Sequence, residues 1–277
     1  MRTKNKFIID RLPRQFNEGM FWGNGRMGSL LYVEKNRVCF AVDHEQLWEI
    51  RDSWGDEPKA RFKDYLDYPE KFFDGTYFHN ERREVNYYRT KLPGLSFFIE
   101  FPEEITEFYG ELDYLTASSE IVFTLCGGKK VRSTIYLDSN ENLLKIKMDG
   151  EVFQIHTLGW NTEIRGLAVL KNWGYPRYTE KEKDGIIHVS QPYSERGLAV
   201  LSAYARGTEL YITLKAKMDI KEKSREAVAE EFTEENGRLI TRYQKEEEEF
   251  LQRHRKSWMD YWDRADITVP NERLEQA

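Results

Sequence analysis

From Leu95 to Ala216 the chain is a succession of short runs rich in β-branched and aromatic residues, with no helical period between them, and this restricts the fold more than any other feature. The runs are Leu95 to Phe101, Glu120 to Leu125, Val131 to Leu137, Leu143 to Met148, Val152 to Thr157, Gly166 to Lys171, Gly185 to Ser190, Leu198 to Tyr204 and Glu209 to Ala216. Parallel strands need helical crossovers, so strands that follow one another this closely pair antiparallel. Their number favours a large sandwich over a small barrel. Gly127-Gly128 and Asp149-Gly150 each join two runs and carry the residues of two-residue hairpin turns. No repeat of 20 to 50 residues is present.

The amino-terminal part fits the same architecture. Lys6 to Asp10 reads as an opening strand, and with the loop through Pro13 to Gly19 it is expected to cover a sheet edge. Gly23, Gly25 and Gly28 punctuate a polar turn carrying Asn24 and Arg26. Met27 to Val33 and Arg37 to Val42, split by Glu34-Lys35-Asn36, then read as a β-hairpin. The glycines lack the spacing of a dinucleotide fingerprint, and their strand follows them instead of preceding them, which excludes that phosphate-binding reading. Residues 49 to 94 scatter aromatics such as Trp54, Phe62 and Tyr87 among charges without a period of two, and Ala60 to Leu66 is a candidate short helix.

Near Lys221 the period becomes helical. Ser224 to Phe232 predicts one helix and Asn236-Gly237 a break. Leu239, Tyr243, Phe250, His254, Trp258, Tyr261 and Trp262 then fall on one face of a longer helix. Glu246 to Glu249 reads as a solvated face. The expected division is a sandwich over residues 1 to 220 and a helical segment over 221 to 277 that ends in an extended stretch, Ala265 to Pro270.

Acids and bases are interspersed, with 32% charged residues, a net charge of −6 and a pI near 5.6. That balance argues against nucleic acid or an anionic membrane as main partner. No apolar run approaches the roughly 18 residues that span a bilayer. Only Phe7-Ile8-Ile9 follows the basic start, too short for a signal-peptide core, so a cytoplasmic location is expected. Cys39 and Cys126 read as buried thiols. No nucleophile motif is present, no metal or organic cofactor is implied, and His44, His79, His156, His188 and His254 are scattered in the manner of structural histidines.

The order of a Gly-Asn-Gly-Arg-Met-Gly turn, a hairpin and an acidic run ending in Leu47-Trp48 resembles the opening of the amino-terminal domain in family-95 glycoside hydrolases, and more distantly family 65. Tyr109, Leu112-Asp113, Gly127-Gly128 and Asp138-Ser139 continue the likeness. His254, Trp258, Trp262, Ile267, Pro270 and Leu274 resemble that family's linker helix and the strand leading into an (α/α)6 catalytic barrel. The resemblance implies a β-super-sandwich followed by a helical linker, within an inverting enzyme that acts on an α-L-fucoside or related glycoside without a cofactor. It places both catalytic carboxylates in the barrel, beyond Ala277, so none of the catalytic residues is expected here. Asp43-His44-Glu45 departs from the family's usual Asn-Glu-Asp, which bears on the substrate.

Within that reading Asn24, Arg26, His44 and Trp48 form a candidate sugar-binding rim facing the barrel, Asn and Arg offering hydrogen bonds and Trp a flat face. The competing role for the same four residues is to staple the sandwich to the catalytic domain. A rival from another class is a free-standing carbohydrate-binding or scaffold module using Trp48, Trp54 and the aromatics of residues 62 to 88. Partners under these readings are a carbohydrate and the chain's own catalytic domain. Trp258 or Trp262 is expected to be exposed, or covered by self-association or by the residues after Ile267.

Overall fold

The structure is a computed structural model that describes residues 6–50, 62–67, 90–92, 94–149, 154–160, 174–221 and 223–264. It is mainly β, with two large antiparallel sheets and two carboxy-terminal helices. The strands are β1 (Lys6–Ile9), β2 (Met20–Gly23), β3 (Met27–Glu34), β4 (Arg37–His44), β5 (Trp48–Glu49), β6 (Thr90–Lys91), β7 (Leu95–Glu100), β8 (Ile105–Asp113), β9 (Ser118–Leu125), β10 (Lys130–Leu137), β11 (Leu143–Met148), β12 (Gln154–Trp160), β13 (Thr179–Lys183), β14 (Ile186–Tyr193), β15 (Gly197–Arg206) and β16 (Glu209–Lys217). The helices are α1 (Phe62–Asp67), α2 (Arg225–Lys245) and α3 (Glu247–Trp262).

A nine-stranded sheet runs β1-β8-β9-β10-β11-β16-β15-β14-β13 and faces a five-stranded sheet, β12-β7-β4-β3-β2. Their inner faces share one core, in which Val38, Phe40, Phe97 and Ile99 of the smaller sheet meet Phe123, Ile135, Ile146 and Ile212 of the larger. Phe40 and Phe97 stack in parallel with centroids 4.8 Å apart. Trp22 donates its indole N–H to Ser119 Oγ at 2.9 Å, a polar tie between the sheets.

The outer face of the nine-stranded sheet is covered as well. Ile240, Tyr243 and Phe250 of the helices pack on Tyr136, Leu143, Ile186 and Tyr211, while Val228 packs on Leu198 and Val200. Covering on both faces explains why β15 is apolar almost continuously from Leu198 to Ala203 instead of alternating. It also explains Lys145, on β11 and only 2% exposed, which meets Tyr211 Oη at 2.6 Å, Glu209 at 3.0 Å and Glu247 at 3.1 Å beneath α3.

Several local expectations are met. The β3–β4 hairpin turns on Lys35-Asn36, and the Gly127-Gly128 turn joins β9 to β10 with Gly128 at φ +80°. Strand β1 is an edge of the larger sheet, and α1 falls where a short helix is expected.

Others are corrected. Asp149 is not in a hairpin, because β11 belongs to the larger sheet and β12 to the smaller, so the chain crosses between layers there. Helix α2 runs through Asn236-Gly237, and the break lies at Glu246 (φ −122°, ψ 26°). Asn236 is buried in mid-helix because its amide is used, donating to Val200 O at 3.1 Å and to Ser202 Oγ at 2.9 Å. Glu246, Glu248 and Glu249 face solvent, whereas Glu247 turns to Lys145. Cys39 is buried and its thiol is pushed up to about 12 by burial, but Cys126 is exposed because it sits in the turn after β9. The run from Gly166 to Lys171, Trp54 with most aromatics of residues 49 to 89, and the stretch after Ala265 lie outside the described residues.

Candidate carbohydrate rim and aromatic cleft

The glycine turn connects β2 to β3. Gly25, at φ +87°, supplies the left-handed residue that lets the chain reverse. Asn24 is the centre of this turn. Its Oδ1 accepts from the backbone N–H of Arg26 at 3.0 Å and of Met27 at 2.9 Å. Its Nδ2 donates to the carbonyls of Asp138 at 2.9 Å and Glu141 at 3.0 Å. Asn24 therefore clamps the turn of the smaller sheet onto the loop between β10 and β11, and its amide is spent on protein.

His44 ends β4 on the other side of that loop. It is 7% exposed, its Nδ1 accepts from Gln46 N–H at 3.2 Å, and its Nε2 lies 3.1 Å from the Asn142 amide. The atom of Asn142 that meets Nε2 is the amide nitrogen, so the ring is bounded by polar protein groups on both nitrogens. Burial, followed by the nearby Lys91, lowers the His44 pKa below the ordinary histidine value against the opposing pull of Glu45 and Asp43.

The 138–142 loop is held from a third direction by α3. His254 is fully buried, with Nδ1 accepting from Ser139 N–H at 3.1 Å and Nε2 2.8 Å from Thr116 O. Within the loop, Asp138 Oδ1 accepts from the N–H groups of Asn140 at 2.8 Å and Glu141 at 2.9 Å. The structure thus joins Asn24, His44 and His254 through one five-residue loop, and all three serve to fix it.

Arg26 and Trp48 are different. Arg26 is exposed, and its carbonyl accepts from Glu45 N–H at 2.7 Å, which brings the glycine turn beside the 43–48 loop. Trp48 is 42% exposed, with its indole N–H tied to Glu45 O at 2.8 Å and Lys91 Nζ 5.9 Å from the ring centroid. Its orientation is fixed by that bond while much of the residue stays exposed. Sequence reasoning missed Lys91, which pairs with Asp43 at 2.8 Å and hydrogen-bonds the carbonyls of His44 and Leu47. It also missed Glu49, fully buried beside Trp48, which accepts from Ser194 Oγ at 3.0 Å and from the Tyr175 hydroxyl. Neither carries a motif, since a lone Lys or Glu in a charged segment gives no sign that the fold will bury it.

Beside the glycine turn lies an aromatic cleft of about 280 Å³, lined by Phe21, Trp22, Tyr114, Trp258, Tyr261 and Trp262 among others. Trp262 donates to Tyr114 O at 2.6 Å and packs edge-on to Tyr261 at 5.1 Å. Trp258 and Trp262 are both half-buried, whereas Phe21, at 50%, and Tyr261, at 51%, are exposed; the residues after Ile267, expected as a possible cover, lie outside the described residues. Trp262 also packs on Tyr114, with centroids 6.3 Å apart, and Trp258 lines the same cleft and packs edge-on to Tyr261.

Among the described residues no group of three metal-ligating side chains comes together, and no helix is long and apolar enough to cross a membrane. The arrangement offers an indole held in one orientation and, on the adjoining turn, a guanidinium with no ion-pair partner among the described residues, which are means of binding. No protein-family model matches the chain, and no curated protein matches it.

Proposed function

We propose that this chain is the non-catalytic amino-terminal sandwich of a glycoside hydrolase resembling the family-95 α-L-fucosidases, and that Arg26 and Trp48 meet carbohydrate at the mouth of a helical catalytic barrel. The observation that supports this reading is the division of labour on the rim. Asn24 and His44 are consumed in holding the 138–142 loop, while Trp48 keeps an exposed, fixed ring in the 43–48 loop and Arg26 an exposed side chain on the glycine turn that adjoins it. A fixed indole face packs on a pyranose ring at little entropic cost, and a neighbouring cation fixes the hydroxyls. Asn24 and His44 are withdrawn from sugar contact in this proposal, since no polar atom of theirs is left over. In the same reading the exposed rings of Phe21 and Tyr261 receive the barrel. A free-standing carbohydrate-binding module is the second reading, favoured by the exposed Trp48 ring alone.

The 277-residue chain is expected to hydrolyse no aryl α-L-fucoside, α-galactoside or α-glucoside above buffer. Turnover that disappeared on changing one of its own carboxylates would overturn the proposal. Reading the coding sequence past residue 277 separates the two readings, because continued coding for helical hairpins favours the hydrolase and a stop codon favours the module. In the longer chain, Trp48→Ala should raise KM or lower kcat with an unchanged melting temperature. Unchanged kinetics with a lowered melting temperature would remove the rim from the site.

A further inference from the structure

The aromatic cleft beside the glycine turn has walls that narrow what it can hold. They come from Phe21 and Trp22 of β2, from Tyr114 in the turn between β8 and β9, and from Trp258, Tyr261 and Trp262 in the last turns of α3. Trp22 spends its indole N–H on Ser119 Oγ at 2.9 Å and Trp262 on Tyr114 O at 2.6 Å, while Trp258 Nε1 is closed off from solvent. That leaves the hydroxyls of Tyr114 and Tyr261 as the polar side-chain groups of the described lining. A sugar needs several convergent polar groups, so the walls suit an apolar occupant instead. At about 280 Å³ the cleft also falls short of the roughly 300 to 1,000 Å³ typical of sites for free small molecules, and its size fits a few side chains of a polypeptide.

Area decides against a second copy of the chain. Phe21 and Tyr261 are each about half exposed, and a ring buries roughly 150 to 250 Å² when covered, so together they offer on the order of 200 Å² where a stable dimer takes about 800 Å² per partner. A nearer candidate is the chain itself. Helix α3 ends at Trp262, on the cleft wall, and the chain leaves it through Asp263 and Arg264. Four residues separate Trp262 from Ile267, a reach of about 14 Å when extended, which is enough to turn back over the last turn of the helix. Ile267, Thr268 and Val269 alternate apolar, polar and apolar, so in extended backbone the two aliphatic residues share one side. Pro270 has no N–H and suits a strand only at a sheet edge. Strand β2 is such an edge, the last strand of the smaller sheet, and it forms one wall of the cleft. A tether this short holds the segment at an effective concentration on the order of millimolar, at which a small apolar contact suffices.

We infer that residues 267 to 270 dock in the aromatic cleft as an extended segment beside β2, with Ile267 and Val269 against Trp258 and Trp262 and Thr268 turned outward. The cleft then fixes the direction in which the chain departs from the sandwich. The occupant lies within this chain, so the inference does not depend on the function proposed above.

Hydroxyl-radical footprinting of the whole chain, read by mass spectrometry, tests this. Ile267→Asp combined with Val269→Asp should raise the oxidation of Trp258 and Trp262 several-fold, while Trp48, outside the cleft, and Phe40, in the core, stay as they are in the parent. Thr268→Asp, on the outward side, should keep the parent's protection of both indoles. That protection should be the same at every protein concentration. Equal oxidation of the two indoles in parent and double variant, an effect of Thr268→Asp as large as that of the double variant, or protection that grows with protein concentration would each overturn the inference, the last by placing a second copy in the cleft.

Discussion

Asn24 and Arg26 stand two residues apart in one turn, and the fold gives them opposite duties. Replacing Asn24 by Ala strands the N–H groups of Arg26 and Met27 and two carbonyls of the 138–142 loop, and should cost about 2 to 4 kcal/mol in urea unfolding. Arg26→Ala touches an exposed side chain and should stay within about 0.5 kcal/mol. A reversal of that order would mean that the clamp is not what holds the loop. The sequence marked both residues, because a Gly-Asn-Gly-Arg turn is conspicuous, but it did not separate them. Which one is spent inside the protein depends on where the 138–142 loop lands, more than a hundred residues later, and no local pattern carries that. The histidines follow the same logic: their structural character was legible from their isolation, and their partners were not.

Elements were read more completely than residues. Alternation and turn residues located most strands, yet the short β2, β5 and β6 and the longer β8 and β13 went unread. Strand β8 carries Thr106, Glu107, Glu111 and Asp113 on exposed or half-exposed positions, and a bulge between Ile105 and Glu107 breaks its period. Strand β13, Thr-Glu-Lys-Glu-Lys, is exposed at every position and is defined only by pairing with β14. The misplaced helix break has a physical cause too, since Asn-Gly stops a helix unless tertiary contacts supply a use for the amide, as Val200 and Ser202 do. The start of α2 was readable because Ser224 caps it, its Oγ accepting from Ala227 N–H at 3.2 Å. Ser224→Ala should therefore cost about 1 kcal/mol. Lys145→Met should be nearly neutral by the same measurement, within about 1 kcal/mol. Its partners Glu209 and Glu247 reach solvent and remain hydrated, while the methionine stem still fills the space beneath α3.

At the scale of the whole molecule, acid is expected to loosen the fold before the carboxylates titrate. Burial is the leading cause that holds His44, His254 and His188 below the ordinary histidine value, the last at about 4. The unfolded chain takes up protons on these rings near pH 6.5 while the folded chain does not. Stability is thus complete above that pH and declines below it, by up to about 1.4 kcal/mol per unit for each ring, until the folded rings protonate, near pH 4 for His188. Melting temperatures between pH 7 and 4 should fall accordingly, and a triple variant with His44, His188 and His254 changed to Gln should show a flatter profile. The charged edge of the larger sheet has a different consequence. Lys181 and Lys183 on β13 are anchored to Glu230 of α2 at 2.5 and 3.2 Å, so the last strand flanks its edge with a fixed row of charged side chains where an incoming chain would need apolar ones. That row is a guard against fibril growth: with both lysines changed to valine, the chain should keep its fold and lose its resistance to seeding, detectable as thioflavin-positive aggregates at concentrations where the parent stays clear.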